Sequence, residues 1–126
     1  MRLATRQLDL YGAATMLRLS GLLIVLAIAA ALPSTAQAAT CSTPKYPGSG
    51  YFTSLKVSGV SCSTGRSVTL SHYRCRTSSG PKGRCSRRVS GYRCSERRTT
   101  ISTEINGRVT CKRGSRSVVY TYQQNT

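Results

Sequence analysis

The 126-residue chain has no tryptophan, one phenylalanine, one histidine and only three carboxylates. Beyond residue 38 the carboxylates are Glu96 and Glu104, and no aspartate remains. Each scarcity excludes something. A glycosidase needs two facing carboxylates, whereas Glu96 lies in a basic run and Glu104 beside an expected turn. A Ser–His–carboxylate triad would have to recruit His72 with one of these glutamates, and no G-x-S-x-G segment accompanies it. No C-x₂₋₄-C pair occurs, and a lone histidine cannot complete a standard zinc finger or ribbon. No metal site and no cofactor are expected. The segment Gly80–Arg84 (GPKGR) lacks the Lys-Ser/Thr ending of a P-loop and reads as a turn. The expectation is a non-enzymatic protein. The least poor catalytic reading is a small ribonuclease-like hydrolase, with Glu as base, His72 as acid and arginines on phosphate.

Long apolar runs are also missing, with one exception. Leu19–Leu32 is apolar over fourteen positions, follows Arg2, Arg6 and Arg18, and is closed by Pro33. A spanning helix needs about 20 residues, so the run fits a signal segment better than an anchor. Ala36-Gln37-Ala38 supplies an A-x-A cleavage motif. Residues 1–38 therefore read as a signal peptide cut after Ala38, 39–50 as a flexible N-terminal loop rich in Ser, Thr, Pro and Gly, and 51–126 as the domain. No membrane span is expected after cleavage.

Little is left to build a core. Residues 39–126 hold twelve Leu, Ile, Val and Phe, and six tyrosines. A strongly charged chain with less than roughly 20% of the four apolar types tends to stay disordered. Small domains of this kind need staples, and all six cysteines lie in this part. Export places them in an oxidising compartment. Sequential pairing is expected: Cys41–Cys62, Cys75–Cys85 and Cys94–Cys111. The second would close the short loop Thr77–Arg84.

Local patterns complete the outline. Tyr51–Val57 alternates as a strand with Tyr51, Leu55 and Val57 on one face. In Ser61–Arg76, Val68, His72 and Cys75 fall at helical spacing with Ser61 as cap, although Val68–Leu70 also alternates like a strand. Val89–Cys94 reads as a short strand with a bulge at Gly91. Asn106-Gly107 predicts a hairpin between Ile101–Ile105 and Arg108–Lys112, with a three-residue loop pairing Ile105 with Val109 and Thr103 with Cys111. Gly114-Ser115 predicts a second turn, and Ser117–Tyr122 a final strand with Val118, Tyr120 and Tyr122 on one face. The fold expected is α+β: a small disulfide-stapled antiparallel sheet of four or five short strands with one helix after the second cysteine. The alternative is an all-β small disulfide-rich domain.

The segments Val57–Cys62 (VSGVSC), Gly91–Cys94 (GYRC) and Val109–Cys111 (VTC), followed by Gly114 and an apolar closing strand, resemble a group of small exported domains of high-GC Gram-positive bacteria without an assigned activity. The resemblance spans roughly Tyr51–Tyr122. It implies a helix after Cys62, a closing sheet and nothing catalytic. The group often carries Ala near the position of Gly65, and a glycine there weakens a helix by about 1 kcal/mol.

The charge distribution points to partners. Residues 39–126 carry sixteen cations, twelve of them Arg, against two carboxylates. Arg forks bind phosphate and carboxylate bidentately. Arg84, Arg87, Arg88, Arg97 and Arg98 are expected to form one anion-binding surface, with Arg113 and Arg116 as further members. The partners expected are an anionic polymer or an anionic cell surface. An extracellular protein partner, met as an interaction or inhibitor domain, is the alternative. A monomer is expected, secreted and in part associated with the cell wall. High net charge alone also keeps an exported protein soluble.

Overall fold

The computed structural model describes residues 36–126. The apolar run at 19–32 and the basic residues before it lie outside the described residues. Five strands and one helix follow in the order β1 (Ala38–Thr40), β2 (Gly50–Ser58), α1 (Cys62–Thr77), β3 (Arg93–Thr100), β4 (Glu104–Arg113) and β5 (Arg116–Asn125). The strands form one antiparallel sheet in the order β1-β2-β5-β4-β3. With a single helix and three disulfides, the domain is small, disulfide-rich and sheet-dominated, closer to the all-β alternative than to the α+β expectation. No helix among the described residues is long and apolar enough to cross a membrane.

The helix starts where its cap predicts. The Ser61 hydroxyl accepts from the Thr64 backbone N–H at 3.2 Å, satisfying one orphan donor. Val68, His72 and Cys75 are all buried on its sheet-facing side. The core fills the space between this side and Phe52, Leu55, Val57, Ile105, Val109, Val118, Tyr120 and Tyr122. Gly65 explains its own identity: a Cβ there would stand 2.5 Å from Val57 Cγ1, so the helix approaches β2 through a position that no side chain can occupy.

All three expected disulfides are present, and no free cysteine is found among the described residues. Cys41–Cys62 ties the end of β1 to the first turn of α1. Cys75–Cys85 ties the last turns of α1 to the loop that follows. Cys94 and Cys111 are directly opposed in the β3–β4 ladder.

Four local expectations need correction. The segment 39–50 is loop over residues 41–49, as expected, but it is tied to the sheet. Ala39 and Thr40 belong to β1 and pair with Val57 and Lys56, the Cys41 N–H donates to the Leu55 carbonyl at 2.9 Å, and Tyr46 is buried. Tyr51 faces outward, 52% exposed, while Phe52 is buried. The cause is a register shift between Phe52 and Ser54, which inserts Thr53 and reverses the alternation relative to Leu55 and Val57. Val89–Tyr92 is a two-residue turn at Ser90-Gly91 rather than a bulged strand, with Val89 and Tyr92 exchanging backbone hydrogen bonds at 2.9 and 2.8 Å. Asn106-Gly107 is no hairpin turn at all: it lies inside β4, Ile105 pairs with Thr100, and Cys111 pairs with Cys94. The chain turns instead at Ser102-Thr103, where the Ile101 N–H donates to the Glu104 carbonyl at 3.0 Å. Gly107 is needed for space. A Cβ there would run into the Tyr122 ring, 2.7 Å from its hydroxyl oxygen. Gly114-Ser115 does make the β4–β5 turn, and Val118, Tyr120 and Tyr122 do share the buried face.

Candidate anion-binding surface

Strand alternation sends successive side chains to opposite sides of a sheet. In β3 it sends Cys94, Glu96 and Arg98 toward the helix and leaves Arg93, Ser95, Arg97 and Thr99 on the open side. In β4 it buries Ile105, Gly107, Val109 and Cys111 and exposes Asn106, Arg108 and Lys112. The ladder register then opposes Arg93 to Lys112, Ser95 to Thr110 and Arg97 to Arg108. These six residues alone line a shallow cavity of about 390 Å³ on the open face. Its lining contains no carboxylate. Like charges directly opposed across strands destabilise a sheet, so two such pairs are a cost that packing does not explain.

The five-arginine surface expected from sequence density is divided by the fold. Arg97 and Arg98 are neighbours in the chain, yet they leave the sheet on opposite sides. Arg97 lines the open cavity. Arg98 has a side chain only 5% exposed and donates through Nε to Glu96 Oε1 at 2.9 Å. Its other nitrogens donate to the Lys82 carbonyl at 2.8 Å and to the Gly83 carbonyl, binding the loop to the sheet. Arg84 is exposed, 4.0 Å from Glu96 Oε2. Arg87 donates to Cys75 Sγ at 3.5 Å, and Arg88 to the Gly91 carbonyl at 3.4 Å. Arg113 and Arg116 flank the β4–β5 turn and line a second cavity of about 440 Å³ with Ser63, Thr64, Ser67 and Ser90. Density along the chain therefore missed Arg93, Arg108 and Lys112, which line the cavity with Arg97. The signal that finds them is period two: Arg93-x-Ser95-x-Arg97 and Arg108-x-Thr110-x-Lys112.

The helix-facing side holds His72, Glu96, Tyr120 and Tyr122, and there they are enclosed. His72 is 1% exposed, its Nδ1 2.5 Å from the Tyr120 hydroxyl. Burial, with smaller contributions from Arg76 and Arg98, outweighs the attraction of Glu96 and depresses the His72 pKa to about 4. Burial pushes the Tyr120 hydroxyl well above its ordinary value, so both partners of this hydrogen-bonded pair stay uncharged. Tyr122 is pushed up to about 12, by burial first and by its hydrogen bond to Glu96 second. Burial alone would raise Glu96, but hydrogen bonds from Arg98 and Tyr122 hold its carboxyl below the usual range. Arg76 is fully buried. Its Nη2 donates to the Tyr46 hydroxyl at 2.6 Å and to Gln124 Oε1 at 2.7 Å, and its guanidinium stacks 4.1 Å above the Tyr122 ring. Glu104, the other carboxylate, lies on β4 and accepts from Asn106 at 2.7 Å and Gln123 at 2.5 Å. His72 and Glu96 are thus parts of an interior network, and the open cavity contains neither.

Matched against protein-family models, curated proteins and solved structures, the chain gives no match. Three disulfides fit an extracellular-type domain.

Proposed function

We propose that the protein is an exported binding module for extracellular polyanions, such as anionic polymers of a cell surface, and that it acts without catalysis. One observation carries the reading: two directly opposed like-charge pairs, Arg93 with Lys112 and Arg97 with Arg108, line a cavity free of carboxylates. In the free protein these pairs repel. A bound anion chain relieves that repulsion and gains charge-assisted hydrogen bonds to the guanidinium forks. The Cys94–Cys111 disulfide on the other side of the sheet cross-links β3 and β4, the two strands that carry the cations, which lowers the entropy lost on binding. An interior His72 held neutral has no route to proton transfer with a ligand on the open face, which favours binding over hydrolysis.

The test is retention of the exported protein on heparin and phosphocellulose columns. It is expected to bind both at about 0.15 M salt, where screening is partial, and an Arg97→Gln/Arg108→Gln variant is expected to elute at lower salt. Free passage of the unaltered protein through both columns overturns the reading in favour of an extracellular protein partner.

A further inference from the structure

The open face has a linear order that narrows the ligand. Along the β3–β4 ladder the opposed pairs run cation, hydroxyl, cation: Arg93/Lys112, then Ser95/Thr110, then Arg97/Arg108. Successive rungs on one face are two residues apart, about 6.6 Å, so the two cation rungs stand about 13 Å apart with the hydroxyls midway. The track has a definite end. Beyond Arg97/Arg108 comes the neutral pair Thr99/Asn106, and on β4 the carboxylate Glu104 follows two residues later. Proteins that bind nucleobases on a flat sheet use aromatic side chains as platforms, each stacked base adding appreciably to affinity. None of the six lining residues is aromatic. The one large aromatic exposed among the described residues, Tyr51, sits on β2, separated from β4 by β5, with its hydroxyl engaged by Gln123 at 2.8 Å.

Resting on the reading of this face as a polyanion site, we infer that its ligand is a polyol-phosphate chain: phosphodiesters joined by hydroxylated, non-aromatic linkers. The chain lies along the strands. Phosphates sit on the two cation rungs, where Arg93, Arg97 and Arg108 offer forked donors, and Lys112 adds a point charge. The stretch between them meets the Ser95 and Thr110 hydroxyls, which donate to oxygen or accept from a linker hydroxyl. Glu104 repels a chain that runs past the neutral rung, so the footprint is short.

The probes are glycerol-phosphate oligomers of two, four and eight phosphates, single-stranded oligonucleotides with the same phosphate numbers, and heparin fragments, each titrated into the exported protein. Affinity for the glycerol-phosphate series is expected to rise steeply from two to four phosphates and then level off, with oligonucleotides of equal charge binding no tighter. Arg97→Gln/Arg108→Gln is expected to weaken the four-phosphate oligomer by about tenfold or more and to flatten the log–log salt slope by about 1.4, at roughly 0.7 per contact on a single strand. The thermal midpoint should hold or rise slightly, since the variant removes one opposed like-charge pair and exposed arginines otherwise contribute little to stability. Oligonucleotides binding more than about tenfold tighter than equally charged glycerol phosphates would overturn the inference. So would affinity that keeps climbing with length, or a double variant that binds as the parent does. Binding to heparin alone overturns the inference and leaves the polyanion reading standing. Binding to no probe overturns both.

Discussion

Arg97 and Arg98 share a peptide bond and little else. Arg98 points toward the helix, where its guanidinium meets Glu96 and two loop carbonyls and becomes part of the interior. Arg97 points away, faces Arg108 across the ladder and borders a cavity with no opposing charge. The whole molecule repeats the contrast. The helix-facing side carries the disulfide between β3 and β4, the stacked Arg76 and the sheltered Glu96. The open side carries cations and hydroxyls. In a chain with sixteen cations and two carboxylates beyond residue 38, most arginines cannot find an ion-pair partner, so the side of the sheet decides which becomes structural and which stays available.

The largest break in this contrast is expected from reduction. The three bridges together contribute several kcal/mol, at about 2–4 each, against a typical total stability of 5–15. Reduction followed by alkylation should abolish dispersed amide signals and the far-ultraviolet sheet signature together, leaving no two sides to compare. A folded, reduced protein would show that the core suffices alone.

Exchanging the two neighbours sharpens the contrast directly. Arg98→Gln removes one partner of a pair whose side chains are 5% and 6% exposed and leaves Glu96 with the Tyr122 hydroxyl and an Arg84 guanidinium 4.0 Å away; breaking such a buried pair costs about 3 kcal/mol or more. Arg97→Gln should cost less than about 0.5 kcal/mol. Urea midpoints at unchanged slope measure both. Equal shifts would deny the division of the sheet into two sides.

Acid should weaken the enclosed side before the open one. The folded pKa of His72 is about 4, below its ordinary 6.5. Between those values the unfolded chain takes up a proton that the folded one refuses. Stability is therefore complete above about pH 6.5 and falls as pH drops toward 4, by on the order of 3 kcal/mol. Glu96, held below its ordinary value, extends the decline at still lower pH. Thermal midpoints from pH 7 to pH 4 should fall for the parent, while His72→Gln should be flat until carboxylates begin to titrate. An identical slope in the variant would assign the decline elsewhere.

A loss confined to one packing contact is expected from Gly107→Ala, at about 1–3 kcal/mol, because its methyl must displace the Tyr122 ring. Chemical denaturation measures it. A neutral result would mean that the ring yields without disturbing its bond to Glu96.

The sequence carried more of this than was read from it. The Ser61 cap and the helical spacing of Val68, His72 and Cys75 were enough for α1, because a cap and one apolar face are local properties. Disulfide pairing followed from neighbouring cysteines. Asn106-Gly107 misled because an Asn-Gly pair is a turn signal only when the chain is free to turn there. The Cys94–Cys111 bridge already fixed the alternative. Opposed residues in an antiparallel pair place the turn midway between them, at Ser102-Thr103, and leave Asn106-Gly107 inside the strand. With that register in hand, the alternation of Arg93, Ser95 and Arg97 against Lys112, Thr110 and Arg108 would have exposed the cavity. The bulge at Thr53 had no such signal, since an inserted residue in a hydroxyl-rich stretch leaves no mark in apolar periodicity.

The sheet's two margins differ in how they could meet another strand. At one end β1 has only three residues, too short to seat another strand. At the other, β3 runs for eight residues and pairs only with β4, so its outer backbone is a ready template for a second copy. Three arginines and one glutamate among those eight residues work against that use: two copies meeting edge to edge bring like charges together and must strip them of water. The strand that supplies half of the cation rungs thus also works against edge-to-edge addition of a second copy, and neutralising Arg93 and Arg97 puts colloidal stability at risk before the fold.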